Sequence, residues 1–421
     1  MDKIQAAKIS LWGNTVGYIS MDANADHGVF EFEKDYSLDI SPLNMPIGGL
    51  VNRFSFPNLN RGSFHGLPGT FADMLPDDFG NALINAWLEQ QGRTPGGFSP
   101  VERLCYTGTR GMGALEFTPA VREGLNTSSQ VIIDKLIDLT RTILQQRTSL
   151  NTNFDKDEDA LLDIVKIGTS AGGARPKAVI AYNKVTGDIL SGQVDAPEGY
   201  EHYLIKFDGI ENESYYGRIE YTYFQMAQET GIIMSPSFLL EEHNRYHFTT
   251  KRFDRIGNEK VHMSTLCGLA HYDFKLAGAY SYEQAFAVLR RLNAPYKDHE
   301  QLFRRMVFNV IGRNQDDHTK NISFLMDKKG VWRLSPAYDI SYSYNPKGLW
   351  TNQHQMTING KRDALTRNDL LSVAKHAEVD NAEKIINDII NVCSDWEDFA
   401  HKNDVSQEII SSISSNLRLD I

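Results

Sequence analysis

Residues 314–321 form a polar run, Asn-Gln-Asp-Asp-His-Thr-Lys-Asn, whose members have the clearest capacity for chemistry in this chain. Asp316 precedes Asn321 by five positions, and Asp339 follows after a further apolar stretch. A carboxylate can accept the proton of a hydroxyl, and amide and carboxylate oxygens are suitable magnesium ligands. The same order and spacing occur in the catalytic and magnesium-binding loops of kinases. The pattern predicts phosphoryl transfer, with Asp316 as the base and with Asn321 and Asp339 as metal ligands.

Neighbouring residues leave alternatives open within this run. Asp317 is adjacent to Asp316 and is a rival candidate for the base. His318 and Lys320 could contact phosphate groups, because their side chains can donate hydrogen bonds. The apolar runs on either side also permit a simpler interpretation, in which the polar residues form only a capped surface loop.

A glycine-rich stretch at 168–177 is the candidate phosphate-binding loop. Small residues allow backbone N–H groups to approach phosphate oxygens closely, and two basic residues add positive charge. The stretch matches neither of the common glycine motifs for nucleotides, so a turn that only reverses the chain is the alternative. The nucleotide contacts predicted here are Gly172, Gly173, Ala174, Arg175, Pro176 and Lys177.

A lysine within the apolar strand 203–207 is the second candidate for binding phosphate. An ammonium group in a buried strand needs an anionic partner, and Lys206 would find one in the phosphates of a nucleotide. Glu220, on a predicted helix, could pair with this lysine as a kinase requires, although Glu213 and Glu229 compete for the role. A solvent-facing position on an edge strand is the alternative for Lys206.

Composition limits the classes of function. The chain has 421 residues, 41% of them hydrophobic, which suffices for packed cores in more than one domain. Its net charge of −11 argues against binding nucleic acid unaided, so a contact with DNA should need a partner. Three dispersed cysteines fit neither a metal site nor a disulfide framework. With no export signal and no apolar stretch of membrane-spanning length, we expect a cytoplasmic protein without membrane association.

Hydrophobic periodicity predicts a mixed architecture. Residues 1 to about 120 are predicted as short strands with a hairpin around 13–15, and the chain after about 265 is predicted as mostly helical. An amphipathic helix is expected over 131–143, and another over 216–229 that is closed by Gly231. Short strands are expected at 322–326 and 330–334.

The candidate elements follow one another in the order of a bilobal kinase: glycine-rich loop, strand lysine, helix glutamate, base loop and metal aspartate. The predicted fold class is therefore α/β (α+β), a bilobal protein-kinase-like fold with a strand-rich N-terminal subdomain and a mostly helical C-terminal lobe. The predicted domains are the N-terminal subdomain at 1–125, the kinase N-lobe at 126–260 and the C-lobe at 261–421.

Several motifs together resemble one family, the HipA serine/threonine kinases of toxin–antitoxin systems. The motifs are those at 170–177, 204–206, 252–255, 314–321 and 338–339, with 75–77 and 110–113 resembling the family's N-terminal subdomain. The similarity extends over nearly the whole chain. The resemblance implies a kinase that uses ATP and magnesium to phosphorylate a serine or threonine of a protein.

The resemblance also implies roles for single residues. Lys206 would bind phosphate, and the backbone around Lys251 and Phe253 would form the hinge that binds adenine. His318 and Tyr338 would join Asn321 and Asp339 in the nucleotide site, with Asp316 as the base.

The resemblance further implies regulation by autophosphorylation. Ser170 matches the serine that such kinases autophosphorylate, and Thr169 is the alternative acceptor. A phosphate there would add nearly two negative charges and could displace the glycine-rich loop.

Partners follow from the same resemblance. Family members pair with a small helix-turn-helix antitoxin and occupy operator DNA through it. Their substrate is a host protein, in well-known cases an aminoacyl-tRNA synthetase, and its phosphorylation arrests growth. Two alternatives stay open, a kinase of a small molecule or lipid head group and a kinase-fold corepressor that acts with its antitoxin on DNA.

Overall fold

The computed structural model describes residues 4–22, 27–76, 80–81, 84–85, 88–89, 92, 94, 97–119, 130–131, 133, 137, 176–208 and 215–421. The chain divides into two units. The first is Met1–Ile40, Met45–Ser214 and Leu240–Met263, and the second is Ser41–Asn44, Tyr215–Leu239 and Ser264–Ile421. The glycine-rich residues up to 175, Ser170 and most of the predicted helix at 131–143 lie outside the described residues.

The N-terminal part of the first unit is built on an antiparallel sheet of five strands. Its strands are β1 (Ala6–Leu11), β2 (Asn14–Met21), β3 (Gly28–Phe32), β4 (Arg53–Ser55) and β5 (Leu115–Thr118), in the order β4-β3-β2-β1-β5. The predicted hairpin is confirmed, with its two-residue turn at Trp12 and Gly13, one position earlier than expected. Both turn residues have positive φ, 49° and 81°, which suits the twist of a tight hairpin.

The helices α1 (Arg61–Phe64), α2 (Gly69–Ala72) and α3 (Pro100–Thr107) accompany this sheet in the first unit. Helix α3 has a complete start signal, because Ser99 and Glu102 form a reciprocal capping box and Pro100 occupies the first turn. Its Val101 and Leu104 are fully buried.

The second sheet contains the predicted strand lysine. Its strands are β6 (Lys177–Tyr182), β7 (Ile189–Ser191), β8 (Glu201–Lys206), β9 (Ser237–Glu242) and β10 (Arg245–Lys251), in the order β7-β6-β8-β10-β9. Lys206 ends β8, which is the central strand, so the alternative that placed this lysine on an edge strand is wrong. A short hairpin of β11 (Arg255–Ile256) and β12 (Glu259–Lys260) follows.

A buried acid joins the hairpin segment to the N-terminal part of the same unit. Asp254 is fully buried, and Arg252 donates to both of its carboxylate oxygens at 2.8 and 2.7 Å. Arg255 and the backbone N–H of Gly113 complete its shell at 2.9 and 2.6 Å. Burial alone would raise the pKa of Asp254, but the charges of Arg252 and Arg255 outweigh it and hold the pKa well below its usual range. The guanidinium of Arg255 also donates to the carbonyls of Gly113 and Gly111.

The second unit is mostly helical, and its part after about residue 265 is mostly helical as predicted. Helix α4 (Tyr216–Glu229) coincides with the predicted helix and is followed by Gly231 at φ 79°. The later helices are α5 (Leu266–Ala270), α6 (Tyr282–Arg291), α7 (Tyr296–Ile311), α8 (Arg367–Ala377), α9 (Ala382–Ser394), α10 (Trp396–Lys402) and α11 (Gln407–Ser414). A small sheet of β13 (His262–Thr265), β14 (Ser323–Met326) and β15 (Trp332–Leu334) confirms the two predicted strands.

We predict that Asp254→Asn destabilises the protein by about 3–5 kcal/mol, because two buried guanidinium groups lose their counter-charge. Chemical denaturation measures the effect, with the exposed Asp188→Asn as the control, expected within about 0.5 kcal/mol of wild type. The contribution of Asp254 should be complete above its unfolded pKa of about 3.9 and decline as the pH falls below it, because the folded pKa is depressed. A loss below about 1 kcal/mol would show that the cluster contributes little.

Candidate functional site

The loop that carries Asp316 lies between α7 and β14 in the second unit. Helix α7 ends at Gly312, and Arg313 follows in the left-handed region with φ 58°, which turns the chain away from the helix axis. A single 3-10 turn, Thr319–Asn321, then leads into β14. The candidate base and the candidate metal ligand Asn321 are therefore placed by two rigid elements.

Hydrogen bonds to one carbonyl shape this loop. The backbone oxygen of Asp316 accepts from the N–H of His318 at 2.9 Å and from Nδ2 of Asn321 at 2.8 Å. Because the amide nitrogen of Asn321 is used in this way, its orientation is fixed. The amide oxygen, the atom that could bind a metal, takes no part in this bond.

The two adjacent acids have different environments. The Asp316 side chain is 41% exposed, whereas that of Asp317 is 1% exposed. Asp317 accepts from the Tyr282 hydroxyl at 3.0 Å and the Gln355 N–H at 2.7 Å, and it pairs with Nδ1 of His354 at 2.9 Å. A carboxylate enclosed by three partners is poorly placed to take a proton from a substrate. The geometry thus favours Asp316 over its rival as the candidate base.

The surroundings of Asp316 act on the pKa of its carboxyl group in opposite directions. Burial raises the pKa of Asp316, and the carboxylates of Asp339 and Asp317 act in the same direction. His318, whose Nε2 is 3.9 Å from Asp316 Oδ1, and a hydrogen bond from Trp350 act in the opposite direction. Burial lowers the pKa of His318, which favours its neutral form.

The segment around Asp339 is bound to the same loop. Its backbone oxygen accepts from Nδ2 of Asn314 at 3.2 Å, and the Tyr338 hydroxyl is bonded to the Lys320 carbonyl and to Ser323. Asp339 has φ 52°, a left-handed conformation that costs on the order of 1 kcal/mol for a residue with a Cβ. Such strain persists where the surroundings impose it, commonly at functional sites.

A small cavity brings four predicted site residues together: His318, Asn321, Tyr338 and Asp339 all line it. Oxygen atoms of Asn321 and Asp339 fit a magnesium ion that completes its coordination with water and phosphate oxygens. Among the described residues, no group of three or more His, Cys, Asp and Glu side chains could hold a metal on its own. The remaining lining residues are Tyr282, Leu302, Arg305, Asn309, Asn314, Asp317, Ile322, Ala337 and Ile340.

The segment 350–355 is the part of the site that the sequence motifs missed. The indole N–H of Trp350 donates to Asp316 Oδ1 at 2.6 Å, and His354 and Gln355 enclose Asp317. No known spacing rule connects these residues to the two acids, since they follow Asp316 and Asp317 by more than thirty positions. The one signal that the sequence contains for this segment is its polar and aromatic composition.

The predicted phosphate-binding lysines lie together in the first unit. Lys177 of β6 is directly opposite Lys206 of β8 in the antiparallel register, so both side chains belong to the same face of the sheet. The Lys206 ammonium is 5.7 Å from the centre of the Phe248 ring. Two positively charged side chains on the same face suit a ligand with several negative charges. Pro176 precedes β6, and its carbonyl accepts from the N–H of Phe207 at 3.1 Å.

The predicted hinge follows β10. Lys251 ends this strand, and its side chain forms an ion pair with Glu201. The pKa of Glu201 is lowered to about 2, and the hydrogen bond from Lys251 is the largest cause. Phe253 is half-buried in the turn between β10 and β11. The backbone contacts expected of Lys251 and Phe253 stay a prediction.

The predicted glutamate partner of Lys206 also stays a prediction. Glu220 is buried on α4, which belongs to the second unit, and Glu229 is exposed at the end of the same helix. Glu213 lies outside the described residues, together with Gly172, Gly173, Ala174 and Arg175.

Two family profiles match the chain. The profile of the HipA-like C-terminal domain matches residues 169–396, more than half of the chain, and that of the HipA N-terminal domain matches residues 7–118. Together they match parts of all three predicted domains. No helix within the described residues is long and apolar enough to cross a membrane.

Individual proteins show the same similarity. A Sinorhizobium fredii protein named as a candidate kinase, Y4mE, is 25% identical over 40% of this chain and 42% of its own length. A Haemophilus influenzae protein with a similar name is 26% identical over 43% of this chain and 54% of its length. The chain thus spans about half the length of these curated relatives.

A solved structure shares the fold. HipA of Shewanella oneidensis, determined in a complex of HipA, HipB and operator DNA, superposes with a TM-score of 0.66 at 16% identity. The match covers 97% of this chain and 94% of that one. The predicted kinase-like α/β fold is confirmed at this level.

We predict that Asp317→Ala costs about 3–5 kcal/mol of unfolding free energy, because it leaves three buried partners without an acceptor. The matched variant Asp316→Ala should cost at most about 1 kcal/mol, since its side chain is partly exposed. Chemical denaturation of the two variants side by side tests this difference. Equal losses would mean that Asp317 is not the structural member of the pair.

Proposed function

The chain belongs to the HipA family, and on that premise we propose that it is a magnesium- and ATP-dependent kinase of protein serine or threonine residues. The partly exposed carboxylate of Asp316 beside the enclosed carboxylate of Asp317 is the observation that supports this proposal most directly. One acid is accessible for proton transfer, and the other holds the loop in place. Kinase catalysis depends on such positioning.

In the proposed reaction, Asp316 accepts the proton of the acceptor hydroxyl. The hydroxyl oxygen bonds to the γ-phosphorus of ATP as the bond from that phosphorus to ADP breaks, so the products are ADP and a phosphorylated side chain. Asn321 and Asp339 would hold magnesium, which when bound neutralises charge on the phosphates. Lys206 and Lys177, opposite each other on the second sheet, would bind phosphate oxygens, and the backbone near Lys251 and Phe253 would bind adenine.

We further propose that the protein acts as the toxin of a toxin–antitoxin pair in the cytoplasm. Its partner would be a helix-turn-helix antitoxin, through which the pair would bind operator DNA; the Shewanella HipA structure is a complex with HipB and operator DNA. The net charge of −11 supports an indirect contact with DNA. The substrate would be a host protein, with an aminoacyl-tRNA synthetase as the first candidate, and its phosphorylation would arrest growth.

Asp316→Asn should lower phosphate transfer at least about 100-fold, because the amide cannot accept the proton. Phosphopeptide mass spectrometry on cells that express wild type or variant, with growth followed in parallel, measures both activities. Asp327→Asn is the matched control, since Asp327 is an exposed acid in the β14–β15 turn and should leave both unchanged. Growth arrest that persists in Asp316→Asn without new phosphosites would favour a binding role with the antitoxin over catalysis.

Autophosphorylation is predicted at Ser170. Ser170→Ala should abolish incorporation of phosphate into the protein itself, whereas Thr169→Ala should leave it intact. Because phosphate in the glycine-rich segment would oppose binding of an anionic nucleotide, Ser170→Ala should also keep its activity during prolonged incubation with ATP. Mass spectrometry of the peptide that contains both residues distinguishes them. Undiminished incorporation in Ser170→Ala would contradict the assignment.

A further inference from the structure

Trp350 contacts the carboxylate that the proposed function uses as a base. Its indole N–H donates to Asp316 Oδ1 at 2.6 Å, a short distance typical of a charge-assisted bond. The ring lies beside His318, with 6.4 Å between the ring centres. Trp350 is half-buried, so the indole is packed on one side and still reaches the accessible acid.

The segment that carries Trp350 is anchored to the loop at three consecutive residues. The side-chain amide of Gln355 donates to the carbonyls of Gln315 and Trp350, and its backbone N–H donates to Asp317 Oδ1 at 2.7 Å. The third connection is the indole bond to Asp316 itself. Because Gln355 and Asp317 are buried, these anchors are rigid, and the indole is held at a fixed place relative to the loop.

Asp316 needs such a support. Its side chain is 41% exposed, so packing does not fix the carboxylate, and the terminal torsion of an aspartate is broad. A base accelerates proton transfer only while its oxygen faces the hydroxyl. One indole N–H uses one of about four acceptor positions on a carboxylate, so it can orient the group without closing it to a substrate.

We propose that Trp350 is a positioning residue for phosphoryl transfer. It holds Oδ1 of Asp316, so that Oδ2 faces the acceptor hydroxyl and receives its proton. The role deepens the proposed kinase function and rests on it. It acts through Asp316 and leaves nucleotide binding to other residues.

A kinetic comparison tests the role. Trp350→Phe keeps an aromatic ring beside His318 but removes the donor, and kcat should fall about 10- to 100-fold, the value of one hydrogen bond to a charged group. The KM for ATP should stay within about twofold, because Trp350 acts on the base alone. Trp12→Phe is the matched control: it removes an indole bond of 2.7 Å to the Lys260 carbonyl in the first unit and should leave kcat unchanged. Equal melting temperatures would exclude a folding defect.

A second measurement needs no catalysis. In the nucleotide-free protein, the indole proton of Trp350, assigned by its loss in Trp350→Phe, should resonate downfield because its acceptor is charged. Asp316→Ala should move this resonance upfield and leave that of Trp12 in place. An unmoved Trp350 resonance would overturn the contact and the positioning role together.

The outcomes separate the two proposals. A wild-type protein without phosphotransfer would overturn the kinase function and the positioning role with it, whatever the indole resonance does. An active wild type whose kcat is unchanged or raised in Trp350→Phe would overturn the positioning role alone. An equal loss in kcat for Trp12→Phe would also overturn it, because the effect would then be general to indole removal.

Discussion

The carboxylate of Asp317 is buried in the interior of the second unit. A buried carboxylate is tolerated only while its partners stay in place. Those partners come from two separate parts of the chain: Tyr282 at the start of α6, and the adjacent residues His354 and Gln355. The loop between α7 and β14 is therefore fixed from within, and its other acid, Asp316, is left at the accessible surface. The positions of Asn321 and Asp339 depend on the same loop, through the Asp316 carbonyl and through Asn314.

Asp254 in the first unit is likewise a buried acid that depends on its hydrogen-bond partners. Two arginines and the backbone N–H of Gly113 enclose this acid, and Arg255 also donates to the carbonyls of Gly111 and Gly113. The turn that follows the predicted hinge is thus bonded to the N-terminal part of the unit. The Arg-Phe-Asp-Arg motif at 252–255 consequently has a structural explanation. Its charged members are buried and pair with one another, and only Phe253 lies half-buried between them.

Each unit contains groups that suit one part of the proposed phosphoryl transfer. In the second unit, Asn321 and Asp339 line one small cavity, and Asp316 lies on the same loop as Asn321 but is not among the lining residues. The first unit places Lys177 and Lys206 opposite each other on its sheet. Phosphoryl transfer requires both kinds of group, a proton acceptor with metal ligands and cations for the phosphates.

The sequence by itself determined the local elements and the spacing of the candidate site. The first hairpin, helix α4 and strands β14 and β15 were predictable because turn residues and hydrophobic periodicity act over a few positions. The spacing of Asp316, Asn321 and Asp339 could be read from the sequence, and the structure places Asn321 and Asp339 at one cavity. Their roles in catalysis and metal binding stay predictions. Tertiary structure alone decided that Asp317 is enclosed, that β8 is central and that Trp350 contacts Asp316. The physical reason is that burial and hydrogen bonding join residues distant in sequence, and no local pattern records those partners.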